Sequence, residues 1–324
     1  MKIINAEQVE QQLSFRELIT LLKQGFSRPF TMPMRQVYHL GVTASLTSGK
    51  SNCRDGFALL PAWNDEVIAT KAFTYFPENE QNHRLASLFS QILLFSRQTG
   101  EPLALIDGTR ITYWRTAAVS ALASSLLSRE NSRHLLLFGT GQLAPYLLHA
   151  HLTVRKLNRI TLWGRNAAKV QALIETFRQH YPDVDFAAAA SLADEVNAAD
   201  IICCATGAET PLFDGQWLSP GTHVDCLGNH LKDARECDAV SISRAGVYVD
   251  SRDNCLNEAG ELLLAMQEGH FTPDKIRGEL SQMCTNPEIL RREEKEITLF
   301  KSVGTAISDL LTAGYVYKAM ETGK

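Results

Sequence analysis

The second half of the chain alternates short apolar runs with longer stretches in which apolar residues recur at helical spacing. Near-continuous apolar runs of four or five residues are typical of parallel strands covered on both faces. A predicted helix over residues 117–127 precedes the first run. The pattern predicts an α/β fold with a Rossmann-type, doubly wound parallel sheet. The predicted strands lie at residues 135–138, 159–163, 201–205, 223–227 and 247–250.

The first third has a different pattern. Strand-like runs at residues 67–75, 90–95 and 103–106 are separated by turns, and an early helix is predicted over 14–25. These runs predict an antiparallel or mixed sheet. A helical segment over 305–320 closes the chain, and we expect its apolar residues to pack back on the first domain. We therefore predict a discontinuous α+β substrate-binding and dimerisation domain of residues 1–118 and 305–324, and a nucleotide-binding domain of residues 119–304.

Composition agrees with two domains, because 324 residues with 45% hydrophobic side chains exceed the size of most single cores. The formal net charge is −4 and the 32 Lys and Arg residues are scattered, so a nucleic-acid partner is not expected. The longest apolar stretches are interrupted by serines and are too short to span a bilayer. The first residues lack the apolar core of a secretory signal. We expect a cytoplasmic protein without a membrane segment.

The seven cysteines form no C-x-x-C pair and have no accompanying histidine at zinc-ligand spacing. We expect reduced thiols, no metal site and no catalytic cysteine. The adjacent Cys203 and Cys204 lie in an apolar run and are interpreted as small buried side chains. The other five are Cys53, Cys226, Cys237, Cys255 and Cys284.

A glycine-rich loop follows the first predicted parallel strand, in the pattern G-x-G-x-x-A. The first glycine allows a tight turn, the second lets a pyrophosphate approach the backbone, and the alanine keeps helix and strand close. The anion then lies on a helix N-terminus. A structural tight turn is the alternative, and the following helix and second strand favour a dinucleotide site. The loop residues are Gly139, Thr140, Gly141, Gln142, Leu143 and Ala144.

The end of the second parallel strand distinguishes the two nicotinamide cofactors. NAD(H) sites usually place an acid there, whereas this chain has Arg165 and Asn166. Arginine can hold a 2′-phosphate by charge-assisted hydrogen bonds. NADP(H) is therefore preferred and NAD(H) stays possible, the alternative being that Arg165 is a solvated loop residue.

Ligands of such sheets bind beyond the carboxyl ends of the strands. The third and fourth parallel strands therefore contribute further candidate cofactor-binding residues, namely Ala205, Thr206, Leu227 and Gly228.

Four segments, in order and spacing together, resemble the ornithine cyclodeaminase/mu-crystallin family. They are Thr70-Lys71-Ala72-Phe73 with Phe76-Pro77-Glu78-Asn79, Asp107-Gly108 with Arg115-Thr116-Ala117-Ala118-Val119-Ser120, the glycine loop, and the run from Ser302 to Asp309. The resemblance implies an NAD(P)-dependent enzyme acting on a small amino or imino acid. It also implies a homodimer, with the active site in a cleft between a substrate domain and a Rossmann domain.

The same resemblance assigns roles to individual residues. Arg35, Lys71 and Arg115 fall on positions that bind the substrate carboxylate, and two guanidinium groups with an ammonium suit that task. A lysine in an apolar strand is costly without an anion, which favours a site for Lys71. The alternatives are that Arg35 is an exposed loop residue and that Arg115 caps a helix. Further assignments are Arg115, Thr116, Ser302 and Gly304 to the cofactor, and Glu258 to substrate or to a solvated helix face.

The sequence departs from the cyclodeaminase pattern at His230, which occupies the position of an aspartate that handles the substrate amine. An imidazole cannot pair with a second ammonium as a carboxylate does, although Asp225 is a nearby carboxylate. His230 could instead donate a proton to an imine nitrogen, unless it is only a loop residue. We therefore expect an NAD(P)H-dependent reductase of a cyclic ketimino acid, 1-pyrroline-2-carboxylate or 1-piperideine-2-carboxylate, with His230 or Lys71 as proton donor.

Two other functions stay open on the sequence alone. One is an ornithine cyclodeaminase or amino-acid dehydrogenase of the same family. The other is a non-catalytic protein of the mu-crystallin type that binds NADPH and a small ligand.

Overall fold

The computed structural model describes residues 1–40 and 55–322. Cys53 lies outside this range, as do the other residues of 41–54 and 323–324 that belong to the first predicted domain. The chain divides into two compact units. Unit 1 comprises Met1–Leu21, Arg28–Arg115 and Thr305–Lys324, and unit 2 comprises Leu22–Ser27 and Thr116–Gly304. No helix of the described residues is long and apolar enough to cross a membrane.

Unit 1 is built on a six-stranded sheet in the order β1-β6-β5-β4-β3-β2. Among the described strands of this sheet, only the β1–β6 pair is parallel, so the sheet is mixed, which was one of the two expected arrangements. The strands are β1 Lys2–Ile4, β2 Gln36–His39, β3 Gly56–Trp63, β4 Val67–Tyr75, β5 Leu88–Ser96 and β6 Pro102–Asp107. The associated helices are α1 Ala6–Gln12, α2 Phe15–Phe26, α3 Asn79–Asn82, the start of α4 Gly108–Leu127, and α12 Ala306–Thr322.

Strand β4 shows how this sheet presents one face to a helix. Val67, Ala69 and Lys71 are buried and alternate with half-buried Ile68 and Thr70. Alternate residues of a strand point to the same face. Helix α12 packs on β3, β4 and β5. Lys71 therefore lies on the face that α12 covers.

Unit 2 contains an eight-stranded sheet in the order β13-β12-β14-β11-β10-β7-β8-β9, with every described pair parallel. The strands are β7 His134–Phe138, β8 Arg159–Trp163, β9 Asp185–Ala188, β10 Ile201–Cys204, β11 His223–Cys226, β12 Gly246–Val249, β13 Ile276–Glu279 and β14 Thr298–Lys301. The helices are the rest of α4, then α5 Ala144–Val154, α6 Ala167–His180, α7 Leu192–Ala198, α8 Ala239–Arg244, α9 Arg252–Glu258, α10 Gly260–Gln267 and α11 Leu280–Thr285.

This topology confirms the doubly wound fold. The chain reverses its direction of strand addition between β7 and β10, which is where such sheets bind ligands at the strands' carboxyl ends. The five predicted strands are present, each within one residue of its predicted bounds.

The predicted start of the helix before β7 was wrong. Helix α4 begins at Gly108 rather than at residue 117. Asp107 Oδ1 accepts a hydrogen bond from the Arg110 N–H at 2.6 Å, so Asp107 caps the first turn. Because Arg115 now lies inside α4, it does not cap the helix.

The boundary between the two units falls between Arg115 and Thr116, and again between Gly304 and Thr305. The predicted boundaries were 118/119 and 304/305. Unit 2 also includes Leu22–Ser27, which the predicted division placed in the first domain. The substrate-binding and nucleotide-binding roles of the two units stay predictions.

Candidate functional site

Lys71 and Arg115 meet around a single carboxylate in unit 1. Lys71 Nζ lies 3.1 Å from Asp309 Oδ1, and Arg115 Nε lies 3.0 Å from the same oxygen. Lys71 also donates to Thr112 Oγ1 at 2.5 Å. Thr112 and Arg115 are three residues apart on α4, which places them on one helix face. The structure thus brings together two of the three predicted carboxylate-binding residues.

This cationic cluster, Lys71, Arg115 and Asp309, is buried. Lys71 is 2% exposed, Asp309 is 1% exposed and Arg115 is 7% exposed. Burial lowers the pKa of Lys71 from 10.5 to about 8, and Asp309 opposes this shift while the charges of Arg115 and Arg35 add to it. A lysine with such a pKa can donate a proton near neutral pH and exists in both forms there.

Arg35 is half-buried just before β2, close enough for its charge to act on Lys71. Lys71 Nζ also lies 5.8 Å from the centroid of the Phe73 ring, on the same face of β4. An aromatic face attracts a cation at this distance. Arg35 is therefore a third positive charge that acts on the cluster, and its predicted role in binding the substrate carboxylate stays a prediction.

The cluster suits an anionic ligand. Two cations against one carboxylate leave a net positive charge, before Arg35 is counted. Arg115 contacts Asp309 through Nε, and this contact leaves its Nη groups for a bidentate carboxylate. Asp309 Oδ2 is buried and has no hydrogen-bond partner among the described residues, so the cluster contains one unpaired acceptor.

The glycine-rich loop of unit 2 has the geometry that a dinucleotide needs. Gly139 has φ 121°, a conformation that favours glycine, and a Cβ there would lie 2.5 Å from the Ala205 carbonyl oxygen. At Gly141 a Cβ would meet no described atom within 4 Å, so the backbone there is open to a ligand. No side chain of the described residues caps α5, whose N-cap is Leu143. The residues present therefore fit a pyrophosphate on this helix N-terminus.

The remaining loop residues surround this turn. Ala144 is buried at the start of α5, and Thr140 lies against Gly164, where a Cβ would be 2.8 Å from the threonine methyl group. Gln142 is exposed and Thr116 is half-buried in α4.

Arg165 and Asn166 follow β8, the neighbour of β7. Arg165 is exposed, and Asn166 caps α6 by accepting a hydrogen bond from the Lys169 N–H at 3.1 Å. The side chain of Asn166 therefore has a structural role, whereas the side chain of Arg165 is exposed to solvent.

The loops after β10 and β11 touch each other. Thr206 N–H donates to Glu236 Oε1 at 2.6 Å and Gly228 N–H donates to Glu236 Oε2 at 2.7 Å. A Cβ at Gly228 would overlap the backbone of Thr206. The predicted cofactor residues Ala205, Thr206, Leu227 and Gly228 are thus brought together at one edge of the sheet.

Ser302 and Gly304 follow β14 at the same edge and are held by Asp250. Ser302 Oγ and the Gly304 N–H each donate to Asp250 Oδ2 at 2.7 Å, and the Val303 N–H donates at 3.0 Å. A buried carboxylate therefore fixes the segment that the family resemblance assigned to the cofactor.

His230 and Glu258, the two remaining predicted site residues, both lie in unit 2. His230 is exposed in the loop after β11, and Glu258 is the half-buried last residue of α9. Asp225 lies inside β11, fully buried, and accepts a short hydrogen bond from Ser120. Asp225 therefore belongs to the interior of the sheet, where burial raises the pKa of its carboxyl.

His151, Cys203 and Asp225 form a group of three potential metal ligands within 4.8 Å of one another. The hydroxyl of Ser120 hydrogen-bonds both His151, at 3.0 Å, and Asp225. Burial lowers the pKa of His151 to about 4, so its imidazole is neutral. We interpret the group as a buried network centred on the Ser120 hydroxyl, in which His151 Nδ1 and Asp225 Oδ1 have no hydrogen-bond partner among the described residues. Cys203 and Cys204 are buried free thiols, as predicted, and so are Cys226, Cys237 and Cys255, while Cys284 is a half-buried free thiol.

Sequence reasoning missed Asp309, the anion that joins Lys71 to Arg115. A signal was present, because Asp309 lies in an otherwise apolar stretch of a predicted helix, and a buried acid there needs a cationic partner. Three further buried charged residues were missed as well, namely Glu236, Glu261 and Lys301. A signal was present for Lys301, because it ends the apolar run of β14.

The model of the ornithine cyclodeaminase/mu-crystallin family matches residues 2–324. The chain belongs to this family. A member from Colwellia psychrerythraea, named Delta(1)-pyrroline-2-carboxylate reductase, is 63% identical over 320 residues, or 99% of each chain. Protein SAR DEFICIENT 4 of Arabidopsis thaliana is 35% identical, over 97% of this chain and 96% of the plant protein. The family resemblance predicted from the four segments is confirmed.

A solved structure of the family is similar throughout. It is the Delta(1)-pyrroline-2-carboxylate reductase of Thermococcus litoralis, in complex with NADH and L-proline, with a TM-score of 0.92 and 29% identity. The match covers 100% of this chain and 98% of the Thermococcus chain.

Proposed function

We propose that this chain reduces 1-pyrroline-2-carboxylate to proline with a nicotinamide dinucleotide as the hydride donor. The observation that carries the proposal is the 63% identity, over 99% of both chains, to the Colwellia enzyme named for this reaction. The Thermococcus relative, solved with NADH and L-proline, supports the five-membered ring over the six-membered one.

In the proposed reaction, unit 1 binds the imino acid by its carboxylate. Arg115 supplies a bidentate guanidinium, and Arg35 adds positive charge. Holding the carboxylate also fixes the adjacent carbon, the position that must receive hydride. The turn at Gly139 and Gly141 in unit 2 would hold the nicotinamide dinucleotide, which in its reduced form would supply that hydride.

Lys71 is the proton donor in this proposal. Its ammonium is held by Thr112 and Asp309, and its pKa of about 8 allows proton transfer near neutral pH. Hydride adds to the imine carbon, the C=N π electrons move to nitrogen, and the Lys71 proton completes the amine. We favour Lys71 over His230 because Lys71 is oriented by two partners in a buried cluster, whereas His230 is exposed.

We further propose that NADP(H) is preferred. Arg165 follows β8, the position at which such folds bind the ribose 2′ group, and its side chain is exposed there. A guanidinium at this position can bind a 2′-phosphate. The Thermococcus structure contains NADH, so NAD(H) is the alternative cofactor. The ratio of the activities with NADPH and NADH distinguishes the two.

A homodimer in the cytoplasm completes the proposal. One face of the unit 1 sheet and its β2 edge present large apolar side chains to solvent, with Val37, Tyr38 and Phe89 between 46% and 49% exposed. Exposed apolar groups of this kind are typical of a subunit interface. Free thiols at the described cysteines suit a reducing compartment.

A substrate screen tests the function. Purified protein is assayed with NADPH or NADH and, in turn, 1-pyrroline-2-carboxylate and 1-piperideine-2-carboxylate. We expect cofactor oxidation, faster with the five-membered ring. Ammonia release from ornithine with no ketimine reduction would identify a cyclodeaminase instead. Tight NADPH binding without turnover of any imino or amino acid would identify a binding protein.

A further inference from the structure

Glu236 is a fully buried carboxylate that joins two strand-end loops of unit 2. Its Oε1 accepts hydrogen bonds from the Thr206 N–H at 2.6 Å and the Thr206 hydroxyl at 2.9 Å, and its Oε2 accepts from the Gly228 N–H at 2.7 Å. Burial raises the pKa of Glu236 to about 8, and the charge of Lys301 and the Thr206 N–H oppose this shift. All three contacts to the carboxyl oxygens come from donor groups. Thr206 follows β10 and Gly228 follows β11, so one side chain fixes the separation of the two loops.

A buried ion pair, Lys301 with Glu261, holds both Glu236 and the loop after β11. Lys301, the last residue of β14, pairs with Glu261 of α10 at 2.8 Å, and both are fully buried. Lys301 Nζ donates to the Asn229 carbonyl at 2.6 Å, while Glu261 Oε1 accepts from the Glu236 N–H at 3.1 Å. The loop at Gly228 and Asn229 is therefore held through both its N–H and its carbonyl.

Burying three ionisable groups in a Rossmann core is expensive, and a hydrophobic set of similar volume often stabilises a fold as well or better. The network is therefore poorly explained by stability alone. The hydrogen bonds of this network instead hold the loops that follow β10 and β11. These loops lie at the carboxyl ends of adjacent parallel strands, where dinucleotides bind. Fixed loop amides cost no reorganisation when a ligand arrives.

We infer that Glu236, supported by Glu261 and Lys301, is a positioning residue that sets the loops at Thr206 and Gly228 to receive the nicotinamide dinucleotide. The inference rests on the proposed function for the identity of the cofactor. Glu236 itself is buried behind the loops and acts through their backbone.

The Glu236→Gln variant tests this assignment. The amide keeps the shape but replaces one acceptor oxygen by an NH2 group, so one loop N–H is left unpaired. We expect the dissociation constant for NADPH, measured by its fluorescence, to rise about tenfold. The KM for NADPH should rise similarly, with the KM for the imino acid changed less than about twofold. The matched control is Glu175→Gln, which makes the same charge change at an exposed position on α6 of unit 2.

Hydrogen exchange gives a second readout that needs no cofactor. In the wild type we expect slow exchange at the Thr206 and Gly228 amides, and faster exchange at both in Glu236→Gln. If that variant does not fold, Glu236→Asp, which keeps the charge and retracts the carboxylate, replaces it with the same expectations. A variant that folds with a lower melting temperature but unchanged NADPH affinity would overturn the inference. Wild-type protein that binds neither NADPH nor NADH would overturn the proposed function instead.

Discussion

Lys71 and Asp309 are 238 positions apart in the chain, yet Lys71 Nζ lies 3.1 Å from Asp309 Oδ1 in the buried interior of unit 1. This contact decides what Lys71 can do. Burial alone would favour the neutral amine, and Asp309 restores part of the stability of the ammonium. The result is a lysine whose pKa of about 8 is close to the operating pH of a general acid.

Replacing Lys71 should remove the proton donor. For Lys71→Met we expect kcat for ketimine reduction to fall by roughly 10²- to 10⁴-fold, the usual contribution of a general acid. NADPH binding, followed by fluorescence, should not change. Lys318→Met, a change of an exposed lysine on α12, serves as the control. If His230→Gln lost as much activity and Lys71→Met did not, His230 would be the donor.

The pH profile should report the Lys71–Asp309 contact. Lys71 donates a proton only while charged, so kcat/KM for reduction should be constant well below pH 8 and fall as pH rises through about 8. Asn at position 309 cannot supply the negative charge that raises the lysine pKa. In Asp309→Asn the fall should therefore begin at lower pH. Asp274→Asn, at an exposed position, should leave the profile in place. An unshifted profile in Asp309→Asn would exclude Lys71 as the group observed.

Arg165 should control cofactor choice. In Arg165→Ala we expect the KM for NADPH to rise roughly 10- to 100-fold, the cost of losing a hydrogen bond to a charged group. The KM for NADH should change little, because NADH has no 2′-phosphate. Steady-state assays with both cofactors measure the ratio. Equal losses with the two cofactors would mean that Arg165 does not recognise the phosphate.

Oligomeric state tests the exposed apolar face of unit 1. Light scattering should give a mass of twice the 36.0 kDa chain. Phe89→Glu places a charge on that face, at a position 47% exposed, and should shift the protein towards the monomer. A wild-type mass of one chain at micromolar concentration would contradict the homodimer.

Much of unit 2 could be predicted from the sequence, because most of its strands are apolar runs that can be recognised from a few consecutive residues. Apolar runs such as those of β7 and β8 predict buried parallel strands. The glycine loop identifies β7 as the first strand of the nucleotide-binding sheet. Strand β13, with the sequence IRGE, lies at an edge and shows no such run. In unit 1, β3 contains Pro61 opposite Thr70 of β4, and proline within a run argues against a strand.

The site was only half predictable for a related reason. Lys71 and Arg115 could be singled out as cations in apolar surroundings or by family resemblance. Their shared partner Asp309 depends on how α12 packs against β4, which no local pattern contains. The same holds for Glu236, whose partners lie after two different strands.

The most direct test of the account follows the hydride itself. The protein is incubated with 1-pyrroline-2-carboxylate and NADPH carrying deuterium at the transferable C4 position, and the product is analysed by mass spectrometry. We predict proline that contains one deuterium, bound at C2, formed by the wild type and at a greatly reduced rate by Lys71→Met. Absence of proline, or proline without deuterium at C2, would contradict the proposed transfer from nicotinamide to the imine carbon.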